Sequence, residues 1–224
     1  MNDWTRPVVA IFVKTPGRSP IKTRLARDLG AERAESLYRD AVDCVRESVD
    51  RAGLPRAWAV TEPKAADRAP WTDAPCQPQP PGDLGTRMAG VFVALRARAP
   101  AVLLIGGDLP QIEPALLVRA ADWLGVPDRH VLGPAADGGF WLYGSSATDP
   151  TSGWPDLRYS RPDTAAHFRA AIGGAAKAWL ELPTRTDLDE ATDLAAVDDE
   201  LAALTDPGPA QRRFRDRLQG IIRK

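Results

Sequence analysis

Lys14, Arg18, Lys22 and Arg24 crowd into one short stretch, Lys14–Arg24, together with Gly17 and two prolines. Cations neutralise phosphate oxygens, and a glycine lets the main chain approach a ligand closely. The stretch therefore suits a phosphate-bearing ligand, with a solvated basic loop as the plain alternative. Gly17 ahead of Lys22-Thr23 has a superficial likeness to a Walker A loop. Ile21 stands where that motif requires a second glycine, which excludes it.

Carboxylates able to hold a divalent cation occur at two further places. Asp108, in Gly106-Gly-Asp-Leu-Pro110, directly follows the apolar run Val102–Ile105. A carboxylate at the end of a buried strand is costly unless paired or metal-bound, although a turn or helix-cap role is open to it. Asp187 and Asp189 alternate in an extended segment that leads into a helix. One of them can face a metal while the other caps the helix. Glu190 reads as a complement to the helix dipole, and the same account extends to Asp193.

Two glycine-containing clusters complete the set. In Gln79-Pro-Pro-Gly-Asp-Leu-Gly-Thr-Arg-Met88, glycines flank Asp83 and Thr86 opens a helix. Backbone groups there could hydrogen-bond a base or sugar, while Thr86 could equally be an N-cap. Asp137-Gly-Gly139 lies between two apolar runs, where Asp-Gly favours a tight hairpin turn that can also line a pocket.

These clusters need elements to position them. Pro7–Val13 is short, β-branched and uninterrupted, like a strand buried on both faces of a parallel sheet. Apolar spacing predicts a helix over Ala31–Ala52, closed by Gly53-Leu-Pro55, and a strand over Arg56–Thr61. Glu62–Gly82, crowded with prolines from Pro63 onward, reads as loop. Next come a helix over Gly85–Ala99, a strand over Ala101–Ile105 and a helix over Pro114–Leu124. Strands follow at His130–Leu132 and Phe140–Tyr143, then a helix over Thr164–Ala171 and a strand over Ala178–Leu182. Helices over Glu190–Leu204 and Ala210–Ile222 end the series. Alternation of this kind predicts an α/β fold with a mostly parallel sheet, and no linker divides residues 1–224. In such sheets ligands bind beyond the carboxyl ends of the strands, where several of these clusters fall.

Composition narrows the classes. The 224 residues carry 29 Lys+Arg against 30 Asp+Glu, a net charge of -1, with 44% hydrophobic residues. That balance excludes global disorder and argues against a nucleic-acid polymer or a membrane surface as partner. Only two cysteines (Cys44, Cys76) and two histidines (His130, His167) occur. They argue against a structural zinc site and a disulfide-stapled scaffold. With no signal-peptide pattern and no long apolar run, a cytoplasmic location is expected.

Taken in order, the residues resemble a known family. The pattern is Phe12-Val-Lys14-x-Pro16-Gly17…Lys22-Thr-Arg-Leu-Ala26, Gly82-Asp-Leu-Gly-x-Arg-Met88, Gly106-x-Asp108-x-Pro110, Leu132-Gly-Pro-Ala-x-Asp-Gly-Gly139 and Asp187-x-Asp189-x-x-x-Asp193. It looks like the bacterial glycosyltransferase-A-like family of the nucleotide-diphospho-sugar transferase superfamily. Relatives there include 2-phospho-lactate guanylyltransferase and the molybdenum-cofactor nucleotidyltransferases. The chain departs from them at Gly107, where Thr or Ser is usual, and at Leu109, where a small polar residue is usual.

The resemblance implies a single GT-A-like, Rossmann-like domain, a three-layer α/β/α sandwich. It implies a Mg²⁺- or Mn²⁺-dependent transferase that uses a nucleoside triphosphate or nucleotide sugar and a small-molecule acceptor. Nucleotidyl transfer is favoured over glycosyl transfer, and a nucleotide-binding sensor without catalysis is the alternative. Lys14, Gly17, Lys22 and Arg24 are then expected at the donor phosphates, and Gln79, Gly85, Thr86 and Arg87 at the nucleotide. Asp108 is expected as a metal ligand, with Asp189 as the second and Asp187 its competitor. Asp137, Gly138 and Gly139 are expected on the sugar or acceptor side. Lys22, Arg24 and Asp108 would carry the chemistry electrostatically, with no Ser–His or Cys–His pair.

Overall fold

The structure, a computed structural model, describes residues 4–62, 70–175 and 178–223. Its centre is β1 (Val8–Val13), whose alternate side chains serve opposite faces of a sheet. Val9, Ile11 and Val13 join one apolar cluster, while Val8 and Ala10 join another. β2 (Arg56–Val60) and β4 (Val102–Gly106) flank β1 in parallel, with Val9 opposite both Arg56 and Leu103. With β3 (Cys76–Pro78), β5 (His130–Pro134), β6 (Phe140–Ser145) and β7 (Trp179–Glu181), the sheet order is β3-β2-β1-β4-β6-β5-β7. Every pairing is parallel except those of β6, which runs against both β4 and β5. The expected mostly parallel sheet is therefore present, with one reversed strand.

Helices cover both faces, giving the expected three layers. On one face α2 (Ala31–Arg51) and α4 (Pro114–Trp123) press Tyr38, Val42, Val45 and Leu117 onto Ile11 and Ile105. On the other, α3 (Leu84–Arg96) and α5 (Thr164–Ile172) bring Val91, Phe92, Leu95 and Phe168 against Val8 and Val102. Each such fully buried Ile, Leu or Phe contributes roughly 1.5–3 kcal/mol. α2 has a second apolar stripe, Ala34, Leu37, Ala41 and Cys44, which α1 (Thr23–Leu29), α6 (Asp193–Ala202) and α7 (Pro209–Ile222) cover.

The chain passes from β1 outward to β2 and β3, then returns to place β4 on the other side of β1. β1 and β4 thus form a topological switch point, where a crevice opens at the carboxyl ends of the strands. The segment after β1 and Gly106–Asp108 after β4 both end there.

Two elements differ from sequence expectation. The stretch expected as loop after Glu62 contains β3, a short edge strand paired to β2 through Trp58 and Cys76. Proline is tolerated at such an edge because the missing N–H leaves no ladder bond broken. Residues 63–69 of that stretch, Pro63 among them, lie outside the described residues. The basic stretch also ends in a helix, since α1 starts at Thr23. No disulfide joins Cys44 to Cys76. Among the described residues, no helix is long and apolar enough to cross a membrane.

Candidate active site at the switch point

The segment leaving β1 is held down residue by residue. The backbone N–H of Lys14 donates to the Tyr38 hydroxyl at 2.9 Å, and that of Thr15 to Glu62 Oε2 at 2.9 Å. The Ser19 hydroxyl donates to the other Glu62 oxygen, and Trp71 Nε1 donates to buried Thr15 Oγ1 at 3.0 Å. Burial alone would raise the Glu62 carboxyl, but these bonds from Ser19 and Thr15 outweigh it and hold the group below the usual carboxylate range. The segment delivers Lys22 at the N-cap of α1 in the left-handed conformation, φ 46° and ψ 50°. A non-glycine residue there costs about 1–2 kcal/mol, so other contacts must hold it in place.

Those contacts are two carboxylates. Lys22 Nζ lies 2.6 Å from Asp108 Oδ2 and 2.6 Å from Asp189 Oδ1. The Lys22 side chain is only 7% exposed, so the ammonium is largely removed from water. Burial works to lower its pKa, yet the charges of Asp108 and Asp189 prevail and hold it well above the usual lysine range. Burial would likewise raise Asp108, but the Lys22 charge and hydrogen bond keep it low. Gly107 N–H donates to Phe12 O at 3.1 Å, extending the β1–β4 register to the residue before Asp108.

Asp189 is set by its own turn. Leu188 is buried as an anchor, and the N–H groups of Asp189 and Glu190 donate to Asp193 Oδ2 at 2.9 and 2.7 Å. Asp193 is thus an architectural residue of the turn into α6, in keeping with the plain reading of its position. Asp187 differs from its neighbour. Burial first, then the charges of Asp108 and Asp137, push its carboxyl up to about 8, with Lys22 opposing. Asp189, and not Asp187, is the partner of Lys22.

Two cavities meet at this group. The first, about 370 Å³, is lined by Lys14, Lys22, Arg24, Arg87 and the buried Gln79, with Tyr38 and Thr61 behind them. Gln79 Nε2 donates to Ala59 O at 2.7 Å, and Arg87 Nε to Gly82 O at 2.8 Å. The second, about 310 Å³, is lined by Asp137, Gly139 and Asp187 together with Met88, Phe140, Trp141 and Tyr159. Asp108 and Asp189 border both. A smaller recess of about 120 Å³ lies against Asp108, Asp187 and Asp189.

Most of the expected residues converge here, and four do not. Gly17 sits in a turn closed by Arg18 N–H to Thr15 O, outside both cavity walls. Gly85 is a packing residue, since a Cβ there would come 2.2 Å from Trp154 O. Thr86 is neither at a cavity wall nor the cap of α3. Asp83 is that cap, its Oδ1 accepting the Thr86 N–H at 2.8 Å. Gly138, at φ +88°, docks the β5–β6 turn on the chain beyond it, where a Cβ would lie 2.0 Å from Pro162 O. The hairpin reading of Asp137-Gly-Gly139 is correct, and Asp137 Oδ1 accepts the Gly139 N–H at 2.8 Å within it. Sequence reasoning did not single out Tyr38 within the helix expected over Ala31–Ala52, nor Tyr159, Ser160 and Thr164 of the second cavity.

A family model described as "Uncharacterized protein conserved in bacteria (DUF2064)" matches residues 45–161. The chain belongs to the DUF2064 family. The DUF2064 match takes in Gln79, Asp108 and Asp137, while Lys22 and Asp189 lie on either side of it. No curated protein matches the sequence. Among solved structures, a candidate nucleotide-diphospho-sugar transferase from Desulfovibrio desulfuricans G20 superposes with a TM-score of 0.82 over 98% of each chain, at 22% identity. A nucleotidyl transferase from Methanothermobacter superposes at 0.58 over 88% of this chain and 99% of its own, at 16% identity. CMP:2-keto-3-deoxy-manno-octonic acid synthetase, in complex with CTP, superposes at 0.54 over the same shares, at 15% identity. At these identities the likeness establishes that this DUF2064 protein has the fold of the nucleotide-diphospho-sugar transferases.

Proposed function

We propose that this DUF2064 protein is a divalent-metal-dependent transferase whose 370 Å³ cleft takes a nucleoside triphosphate or nucleotide sugar. The observation that carries this reading is Lys22, buried at the switch point and shared by Asp108 and Asp189. Lys14, Arg24 and Arg87 around it supply cations for a phosphate chain, and buried Gln79 lies on the same wall. Three neighbours with the fold are described as nucleotide or nucleotide-sugar transferases, one of them holding CTP. Nucleotidyl transfer is the favoured chemistry, with the acceptor attacking phosphorus and pyrophosphate leaving. In glycosyl transfer the attack would fall on the anomeric carbon.

The residues present fit a Mg²⁺ or Mn²⁺ ion. Asp108, Asp187 and Asp189 surround one small recess, and a single ammonium offsets them. Among the described residues, no three His, Cys, Asp or Glu side chains converge as a complete ligand set. That suits an ion bound through one or two carboxylates, with substrate phosphates and water completing its shell. Asp108 and Asp189 would hold it. Such an ion neutralises charge building on the leaving phosphate. Lys22 stabilises the same charge from the protein side, while Arg24 and Arg87 orient the phosphate chain and exclude alternative poses. The 310 Å³ cavity receives the acceptor. Such a reaction belongs in the cytoplasm, where nucleotides are available.

Thermal shift and calorimetry with nucleoside triphosphates and nucleotide sugars, with and without Mg²⁺ or Mn²⁺, test the reading. A ligand at 100 times its Kd adds about 2.7 kcal/mol of stability. At least one nucleotide should bind in a metal-dependent way. Silence across the panel at millimolar concentrations would end the transferase reading. Release of pyrophosphate or free nucleoside diphosphate in the presence of an acceptor separates catalysis from binding alone.

A further inference from the structure

The two cavities that share Asp108 and Asp189 have opposite electrostatic character. The 370 Å³ cleft is walled by Lys14, Lys22, Arg24 and Arg87. No lysine or arginine among the described residues lines the 310 Å³ cavity, whose charged side chains are all aspartates. The nearby cations do not line its wall. Lys22 is held between Asp108 and Asp189, and Arg161 Nε lies 3.4 Å from Asp163 at the surface. An anionic group on the Asp137–Gly139 side of the cavity would meet the Asp137 carboxylate, which makes no ion pair among the described residues, whereas Lys22 offsets charge only at Asp108 and Asp189. Such like-charge contact costs several kcal/mol when desolvated.

The remaining wall is aromatic and apolar. Met88, Phe140, Trp141 and Tyr159 form it. Trp141 Nε1 donates to Pro183 O at 3.1 Å, and the Tyr159 hydroxyl donates to Trp154 O at 3.1 Å. Both polar tips are satisfied by the main chain, which holds the rings in place. Flat apolar walls beside carboxylates match a molecule with a hydrophobic face and hydroxyls around its edge, since a carboxylate accepts what a hydroxyl donates. The cavity is at the small end of the range for ligand pockets, about 300–1,000 Å³, so the molecule is about monosaccharide size. The Gly138 carbonyl accepts the Ala165 N–H at 2.9 Å and ties the β5–β6 turn to α5, fixing the mouth.

Resting on the transferase reading above, we infer that the acceptor is a small, uncharged polyhydroxy compound with an apolar face, and not a phosphate ester or carboxylate. The chain contains two methionines, Met1 and Met88, so a methyl-¹³C-methionine sample reports this cavity through one resonance. Met88 does not line the cationic cleft, so an anion bound there leaves the reporter in place. The probes are matched pairs: methyl glucoside against glucose 1-phosphate, and glycerol against glycerol 3-phosphate. The uncharged member of a pair should shift Met88, and its phosphorylated partner should need a concentration at least ~10-fold higher, as unscreened like charge demands. Equal or tighter response to the phosphorylated members overturns the inference, and so does a Met88 signal that no uncharged member moves. Asp137→Asn keeps an oxygen for the Gly139 N–H while removing one charge, and should narrow the gap several-fold. An unchanged gap in that variant refutes the electrostatic basis. Nucleotide binding is measured separately by calorimetry. Its absence alongside an intact Met88 response would fail the transferase reading and leave the cavity's preference standing.

Discussion

The ammonium of Lys22 lies 2.6 Å from a carboxylate oxygen of Asp108, a residue 86 positions later in the chain. The pair joins the segment after β1 to the end of β4. Asp189 closes the group from 167 positions away at the same distance. Nothing local in the sequence requires this meeting, so the fold must supply it.

Asp108→Asn removes one of two partners from a buried ammonium. Because Asp189 remains, the cost to stability should be about 1–3 kcal/mol and the protein should stay folded. Urea midpoints measure that cost. Calorimetry of the folded variant should show that the metal-dependent part of nucleotide affinity is gone, and unchanged binding would remove Asp108 from the metal.

Lys22→Ala leaves two carboxylates facing each other and a phosphate chain without its central cation. Triphosphate affinity should fall by about 2 kcal/mol or more, roughly 30-fold, while the bare nucleoside binds as before. Lys22→Gly provides an internal check of the backbone. At φ 46° glycine is unstrained, so it should be more stable than the alanine variant by about 1 kcal/mol.

Gly85→Ala puts a methyl group where Trp154 O already stands, 2.2 Å away. The forced shift should cost about 1–3 kcal/mol in thermal unfolding. Since Gly85 packs α3 and does not line the cleft, nucleotide affinity of the folded variant should stay within about twofold, whereas a base-contacting residue would lose about tenfold or more.

Glu62 gives the stability curve a defined acid limb. Its folded pKa is depressed by the bonds from Ser19 and Thr15, against an unfolded value near ~4.3. The carboxylate therefore contributes fully above that value, and the contribution disappears as pH falls through the lower folded pKa. Glu62→Gln should make urea stability less steep between about pH 5 and pH 2. An identical acid limb in the two proteins would show that the anchor at Thr15 and Ser19 is not charge-dependent.

Much of this arrangement was legible from residues alone. Pro7–Val13 announced a doubly buried strand, and Asp108 after a second such run pointed to a partner or an ion, with a turn or helix cap as its plain alternative. Lys22 was legible as part of a basic cluster in a position that open sheets use for ligands. The limits are equally physical. The sequence expectation that Asp187 and Asp189 serve different roles on different sides does not hold, since residues two apart in an extended segment share a face and both border the same recess. Which of them meets Lys22 depends on how the turn closed by Asp193 is oriented. The Gly85-Thr86 pair looked like a binding segment because glycine and threonine suit both close ligand approach and the first turn of a helix. Only the cap at Asp83 and the contact with Trp154 distinguish the two. Proline content hid β3, whose identity depends on pairing with β2. Tyr159 and Thr164 carry no local signal, since their position at a cavity wall follows from the docking of Gly138 onto Pro162.

The reversed strand β6 has a consequence for how such a protein can change over evolutionary time. With β6 antiparallel, a tight turn replaces a helical crossover and lands on the same edge as Lys22 and Asp108. One cavity is then built mainly from chain before that turn, and the other mainly from the turn and the chain after it. Altering Phe140 or Tyr159 would reshape the 310 Å³ cavity while leaving the lining of the cationic cleft untouched. On the proposed transferase reading, donor and acceptor selectivity are therefore largely separable traits, joined where Phe12, Leu84, Gly106, Asp108 and Asp189 line both cavities.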